Sequence, residues 1–115
     1  MNWIILRQKE QLPALINRSH EVPCMIFKHS ATCSISLIAK NRLESNWNFE
    51  EANPECYFID VKTDREISLL VAETFQVQHE SPQVLLLVNG QCVYDNSHLD
   101  ISVEELQEAL EQEWA

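Results

Sequence analysis

The stretch that decides the fold is IFKHSATCSIS, residues 26–36. Its first half is short and apolar, and with Pro23 ahead of it CMIFKH reads as a buried strand. After the polar KHSAT, the spacing of Ile35, Ile38, Ala39 and Leu43 is helical, and the helix should end near Asn46 to Asn48. A cysteine, Cys33, therefore sits where a strand hands over to a helix. Three residues on, where a C-x-x-C pair would carry its second thiol, stands Ser36. Cys33 is either a nucleophile without an internal partner or a small residue that starts a helix.

The same alternation continues on both sides. QKEQLPALINRS, residues 8–19, places Leu12, Leu15 and Ile16 on one face of a short helix that follows a small N-terminal strand, with Pro13 in its first turn. ECYFIDV, residues 55–61, is a second buried strand. Asp64 is a good N-cap for a helix whose apolar face carries Ile67, Leu70, Val71 and Phe75. Two apolar runs, Val84 to Val88 and Cys92 to Tyr94, flank Asn89-Gly90, the strongest short-range signal for a hairpin. Gly90 is the single glycine of the chain, and positive φ is its natural use. Ser102 with Glu105 makes a capping box for VEELQEALEQEWA, residues 103–115. The order β, α, β, α, β, α, β-hairpin, α predicts an α/β fold: a mixed four- or five-stranded sheet with helices on both faces, as in the thioredoxin fold. Residues 1–115 are predicted to form a single domain of this kind.

Composition narrows the partners. Eighteen acidic residues against eight Lys and Arg give a formal charge of −10, which repels phosphate backbones and anionic lipid, so neither nucleic acid nor membrane is expected. The apolar run Trp3 to Leu6 is too short for a signal-peptide core and nothing approaches a membrane span, which predicts a soluble cytoplasmic protein. Of the four cysteines, Cys24, Cys56 and Cys92 lie within apolar runs and read as buried small hydrophobes. Only Cys33 stands in polar surroundings. The four histidines lack metal-ligand spacing, no phosphate-binding glycine loop is present, and the acidic run Glu104 to Glu113 reads as a solvated helix face.

Two segments, IFKHSATCSIS and ESPQVLLLVNGQCVYD (residues 80–95), together with the N-terminal spacing of Trp3, Leu6, Gln11, Leu12, Leu15, Ile16 and Ser19, resemble the YtxJ family of monothiol bacilliredoxins over almost the whole chain. The resemblance implies a thioredoxin-like fold and thiol-disulfide exchange with bacillithiol, a low-molecular-weight thiol, attached to client proteins. It implies no bound cofactor, with the small thiol as co-substrate. It also implies that Pro82 is cis and that Ser81 offers backbone groups to an extended substrate. One position departs from the family pattern: the residue after the cysteine, commonly proline, is Ser34.

Thiol-disulfide exchange needs a reachable thiolate. At a helix start, Cys33 faces free amides and the positive end of the helix dipole. Further stabilisation is sought from the hydroxyls of Ser36 and Thr32 and from the charge of Lys28 or a protonated His29; for these two, a solvated strand end is the alternative. Serine at position 36 forbids an internal disulfide across C-x-x-C, so the expected mechanism is monothiol, with Cys33, Ser36 and Thr32 catalytic and Ser81, Pro82, Lys28 and His29 binding substrate; whether Cys24, Cys56 or Cys92 acts as a resolving thiol stays open at this point. Two other readings stay open at this point: a non-catalytic thioredoxin-like interaction module, and an iron-sulfur carrier like the monothiol glutaredoxins.

Overall fold

The structure, a computed structural model, describes residues 1–49 and 54–114. Nine elements follow one another: β1 (Trp3–Ile5), α1 (Gln11–Arg18), β2 (Cys24–His29), α2 (Ser34–Asn46), β3 (Glu55–Asp60), α3 (Arg65–Phe75), β4 (Gln83–Val88), β5 (Gln91–Ser97) and α4 (Val103–Glu113). A short 3-10 turn, His98–Asp100, lies between the last two. The strands form one five-stranded sheet in the order β1-β3-β2-β4-β5. β1, β3 and β2 run parallel, whereas β4 is antiparallel to β2 and β5 to β4. This is the α/β architecture expected from the sequence, with five strands rather than four. The helix expected over 103–115 ends at Glu113, and residue 115 lies outside the described residues.

Because side chains alternate along a strand, β2 feeds two cores. Cys24 and Ile26 join Leu12 and Leu15 of α1, Ile67 and Val71 of α3, and Leu85 and Leu87 of β4 on one face. Met25 and Phe27 join Ala39 and Leu43 of α2, Leu106 of α4, and Val84 and Leu86 on the other. All six residues of β2 are buried, as are all six of β4, so the sheet centre is covered by helices on both sides. The hairpin turn has φ of 52° at Asn89 and 79° at Gly90. Positive φ at both central residues is the turn geometry that matches strand twist. The turn is fastened to the end of α1, where Ser19 Oγ accepts from Gly90 N at 2.8 Å and Ser19 O accepts from Asn89 N at 2.9 Å.

The caps differ in detail from the sequence expectation. Ser102 Oγ accepts from Glu105 N at 3.2 Å, but the Glu105 carboxylate takes the Tyr94 hydroxyl at 2.6 Å instead of closing the box. Asp64 occupies the N-cap of α3 without a side-chain capping bond.

Candidate active site at the start of α2

The phase of α2 differs from its apolar spacing. Its buried stripe is Ser36, Ala39 and Leu43, while Ile35 and Ile38 are exposed, at 41% and 46% of their full area. Two hydrogen bonds turn the helix this way. Ser36 Oγ accepts from Ser30 N at 3.0 Å and lies 2.7 Å from His29 Nδ1, at the end of β2. Both polar groups at the strand end are thereby satisfied, where a buried unpaired hydrogen-bonding group would cost about 1–3 kcal/mol. Ile35, Leu37 and Ile38 are consequently exposed apolar side chains in the first turns of α2.

Cys33 is the N-cap of α2 with extended backbone, φ −104° and ψ 121°, and is partly exposed. Its carbonyl accepts from Leu37 N at 3.1 Å and its amide donates to Ser30 O at 3.2 Å. The sulfur makes no capping bond to the free amides of the first turn; it lies at the positive end of the helix dipole.

Two of the expected thiol partners are elsewhere. Lys28 points to the opposite face of the sheet from α2 and is wholly buried, where Nζ donates to Ser68 O at 2.9 Å and contacts His79 Nδ1 at 3.1 Å. It is neither a solvated strand end nor a charge beside Cys33. Burial lowers its pKa to about 8. His29 is buried as well, and its pKa is lowered, first by burial and then by the charge of Lys40. The Ser36 hydroxyl is thus engaged by His29 Nδ1 and the Ser30 amide at the end of β2 instead of being given to the thiol. The expectation of a protonated His29 is corrected by its lowered pKa. The ring is packed among aromatic neighbours, with Phe27 and Phe58 at centroid distances of 5.7 and 5.4 Å.

Thr32 is exposed next to Cys33, and its Oγ1 accepts a hydrogen bond from Lys62 Nζ. Lys62 escaped the sequence reading because nothing in its local spacing marks it. It arrives from the loop after β3, and the C-terminal ends of neighbouring parallel strands converge on one crevice. Register brings Ser81 and Pro82 to that same end: Lys28 pairs with Gln83, and the Ser81-Pro82 peptide just before it is cis. Pro82 O accepts from His98 N at 2.8 Å, which ties the 3-10 turn to this loop. Ser81 Oγ is buried without a partner among the described residues.

The remaining thiols lie at the far end of the sheet. Cys24 opens β2 five residues before His29, about 16 Å at roughly 3.3 Å per residue. Cys56 pairs with Met25, while Leu87 is opposed by Cys24 on one side and by Cys92 on the other. A disulfide requires Cα atoms within about 7 Å, so none of the three reaches Cys33 in this fold. Burial pushes the thiols of Cys24 and Cys56 up to about 12 and that of Cys92 up to about 11. Cys92, on the edge strand, is only partly buried.

A family model described as monothiol bacilliredoxin BrxC matches residues 4–106. The chain belongs to the monothiol bacilliredoxin family. Among solved structures, a proposed oxidoreductase with a thioredoxin fold is 32% identical with a TM-score of 0.80, over 93% of this chain and 92% of the other. The fold also matches Fasciola hepatica thioredoxin, with TM-score 0.70, 18% identity and coverage of 95% and 97%. Trypanosoma brucei brucei thioredoxin matches with TM-score 0.73, 13% identity and coverage of 96% and 89%. Family and fold together give the chain a thiol-redox role. Among the described residues no helix is long and apolar enough to cross a membrane.

Proposed function

We propose that the protein removes a low-molecular-weight thiol, bacillithiol, from mixed disulfides on client proteins, with Cys33 as the single nucleophile. One observation carries this reading: the partly exposed thiol is at a helix N-terminus, while its possible partners are a buried serine at position 36 and three thiols at the far end of the sheet. The Cys33 thiolate attacks the small-thiol sulfur of the client disulfide. The client thiolate leaves and takes a proton, and the small thiol is now bonded to Cys33. A second small-thiol thiolate then attacks the sulfur of that adduct, releasing the symmetrical small disulfide and the Cys33 thiolate. In this cycle Ser36 and His29 hold the first turn of α2 in place, Thr32 flanks the thiol, and Ser81 with Pro82 shapes the edge along which the client chain lies. Lys28 acts from the other face of the sheet by holding His79 and its loop. The exposed apolar side chains of Ile35, Leu37 and Ile38 suit contact with client proteins, and reduction of this kind belongs in the cytoplasm.

The test is intact-mass analysis after parallel exposure to bacillithiol disulfide, glutathione disulfide and coenzyme A disulfide, with peptide mapping of each adduct. A single adduct on Cys33, formed fastest from bacillithiol disulfide, is expected. Adducts on Cys92, or none at all, would overturn the assignment.

A further inference from the structure

A cation from the loop after β3, Lys62, reaches the residue next to Cys33, and nothing in the local sequence spacing marks it. We infer that Lys62 recognises the negatively charged group of the small thiol that exchanges at Cys33, favouring carboxylate-bearing thiols over neutral ones. The inference rests on the proposed exchange at Cys33 and names its substrate class.

Three features place an available ammonium there. The loop carrying Lys62 is fixed by its backbone: Val61 N donates to His29 O at 2.9 Å, and Asp60 Oδ1 accepts from Lys62 N at 3.0 Å and Thr63 N at 3.1 Å. From this turn Nζ crosses to Thr32 Oγ1, one residue from Cys33, and consecutive Cα atoms are only about 3.8 Å apart. Finally, the ammonium is exposed and takes part in no ion pair among the described residues, where Lys9, Arg18, Lys40 and His98 are the cations that do. An ammonium has three donors. With one on Thr32, two remain for a ligand.

Charge makes this matter. A chain of formal charge −10 repels an anionic co-substrate, and a cation fixed at the point of exchange offsets that locally. A carboxylate a few bonds from the disulfide sulfur would meet Lys62 while the sulfur meets Cys33. Thr32 sets the position of the ammonium, and Asp60, whose Oδ1 accepts from the Lys62 and Thr63 amides, makes no ion pair with it among the described residues.

The experiment compares adduct formation on Cys33 by glutathione disulfide (anionic), 2-hydroxyethyl disulfide (neutral) and cystamine (cationic). Wild type, Lys62→Met and Lys62→Glu are followed by intact mass at low salt. An exposed ion pair is worth up to about 1 kcal/mol, or roughly fivefold. The anionic-to-neutral rate ratio should therefore fall about threefold to fivefold in Lys62→Met and about tenfold or more in Lys62→Glu. The cationic-to-neutral ratio should rise in Lys62→Glu, and about 0.5 M salt should shrink both effects. Ratios that stay constant, whether the three rates fall together or none changes, would overturn the inference while leaving Cys33 exchange standing. A wild type inert to all three reagents would instead overturn the exchange reading, and this assignment with it.

Discussion

Replacing Lys28 by Met should remove a specific pH dependence of stability. Lys28 Nζ is wholly buried, bonded to Ser68 O and His79 Nδ1, and paired with no carboxylate among the described residues. Burial lowers its pKa from 10.5 to about 8, which at about 1.4 kcal/mol per pH unit corresponds to roughly 3 kcal/mol. Below pH 8 the lysine is charged in both folded and unfolded chains, and the folded state bears the whole cost. Between pH 8 and 10.5 the unfolded lysine keeps a proton that the folded one has lost, so stability rises with pH. The thiols of Cys24, Cys56 and Cys92 act in the opposite sense, since their pKa values are raised and the unfolded chain loses those protons first. The difference between wild type and Lys28→Met cancels the thiols and isolates the lysine. Urea unfolding followed by tryptophan fluorescence, with reductant present, should show wild type gaining roughly 2 kcal/mol on Lys28→Met between pH 7.5 and 9.5. A difference that stays level across that range would refute the idea that Lys28 is held below its ordinary pKa by burial.

At pH 7, iodoacetamide should modify Cys33 well before the other three cysteines, because burial keeps Cys24, Cys56 and Cys92 protonated; peptide mapping that finds Cys92 labelled as fast would break the monothiol scheme. Ser36→Ala leaves Ser30 N and His29 Nδ1 without their buried partner and should cost about 1–3 kcal/mol in urea unfolding. A loss under about 0.5 kcal/mol would mean that these bonds do not set the phase of α2. Gly90→Ala forces a side chain into φ +79° and brings its Cβ to 3.0 Å from His20 Nε2. It should cost about 1–2 kcal/mol by the same assay, and an unchanged midpoint would show that the turn can relax.

The elements could be read from the sequence where a single physical signal dominated. Short apolar runs bounded by Pro23 and polar residues became β2 and β4, and Asn89-Gly90 became the turn that only positive φ allows. The site was legible as a place, a cysteine where strand passes to helix, because that position follows from local order. Its wiring was not. The apolar spacing of Ile35 and Ile38 pointed α2 one way, and the hydrogen bonds of Ser36 to Ser30 and His29 turned it another. Lys28 was one residue out of phase for a role at Cys33: strand alternation sends it to the face of α3, where its buried ammonium meets a helix carbonyl. Lys62 depends on the pairing of β2 with β3, a contact between segments some thirty residues apart that no local pattern encodes.

The most direct measurement is transfer itself: a reporter protein carrying bacillithiol on its one cysteine is mixed with wild type or with Cys33→Ser, and both partners are followed by intact mass. Wild type should gain the mass of one bacillithiol on Cys33 as the reporter loses it, should keep that adduct until free bacillithiol is added, and should never show the two-hydrogen loss of an internal disulfide; Cys33→Ser should leave the reporter unchanged. Equal loss from the reporter with Cys33→Ser, or a wild type that sheds the adduct by forming a disulfide with Cys24, Cys56 or Cys92, would contradict single-thiol exchange at Cys33.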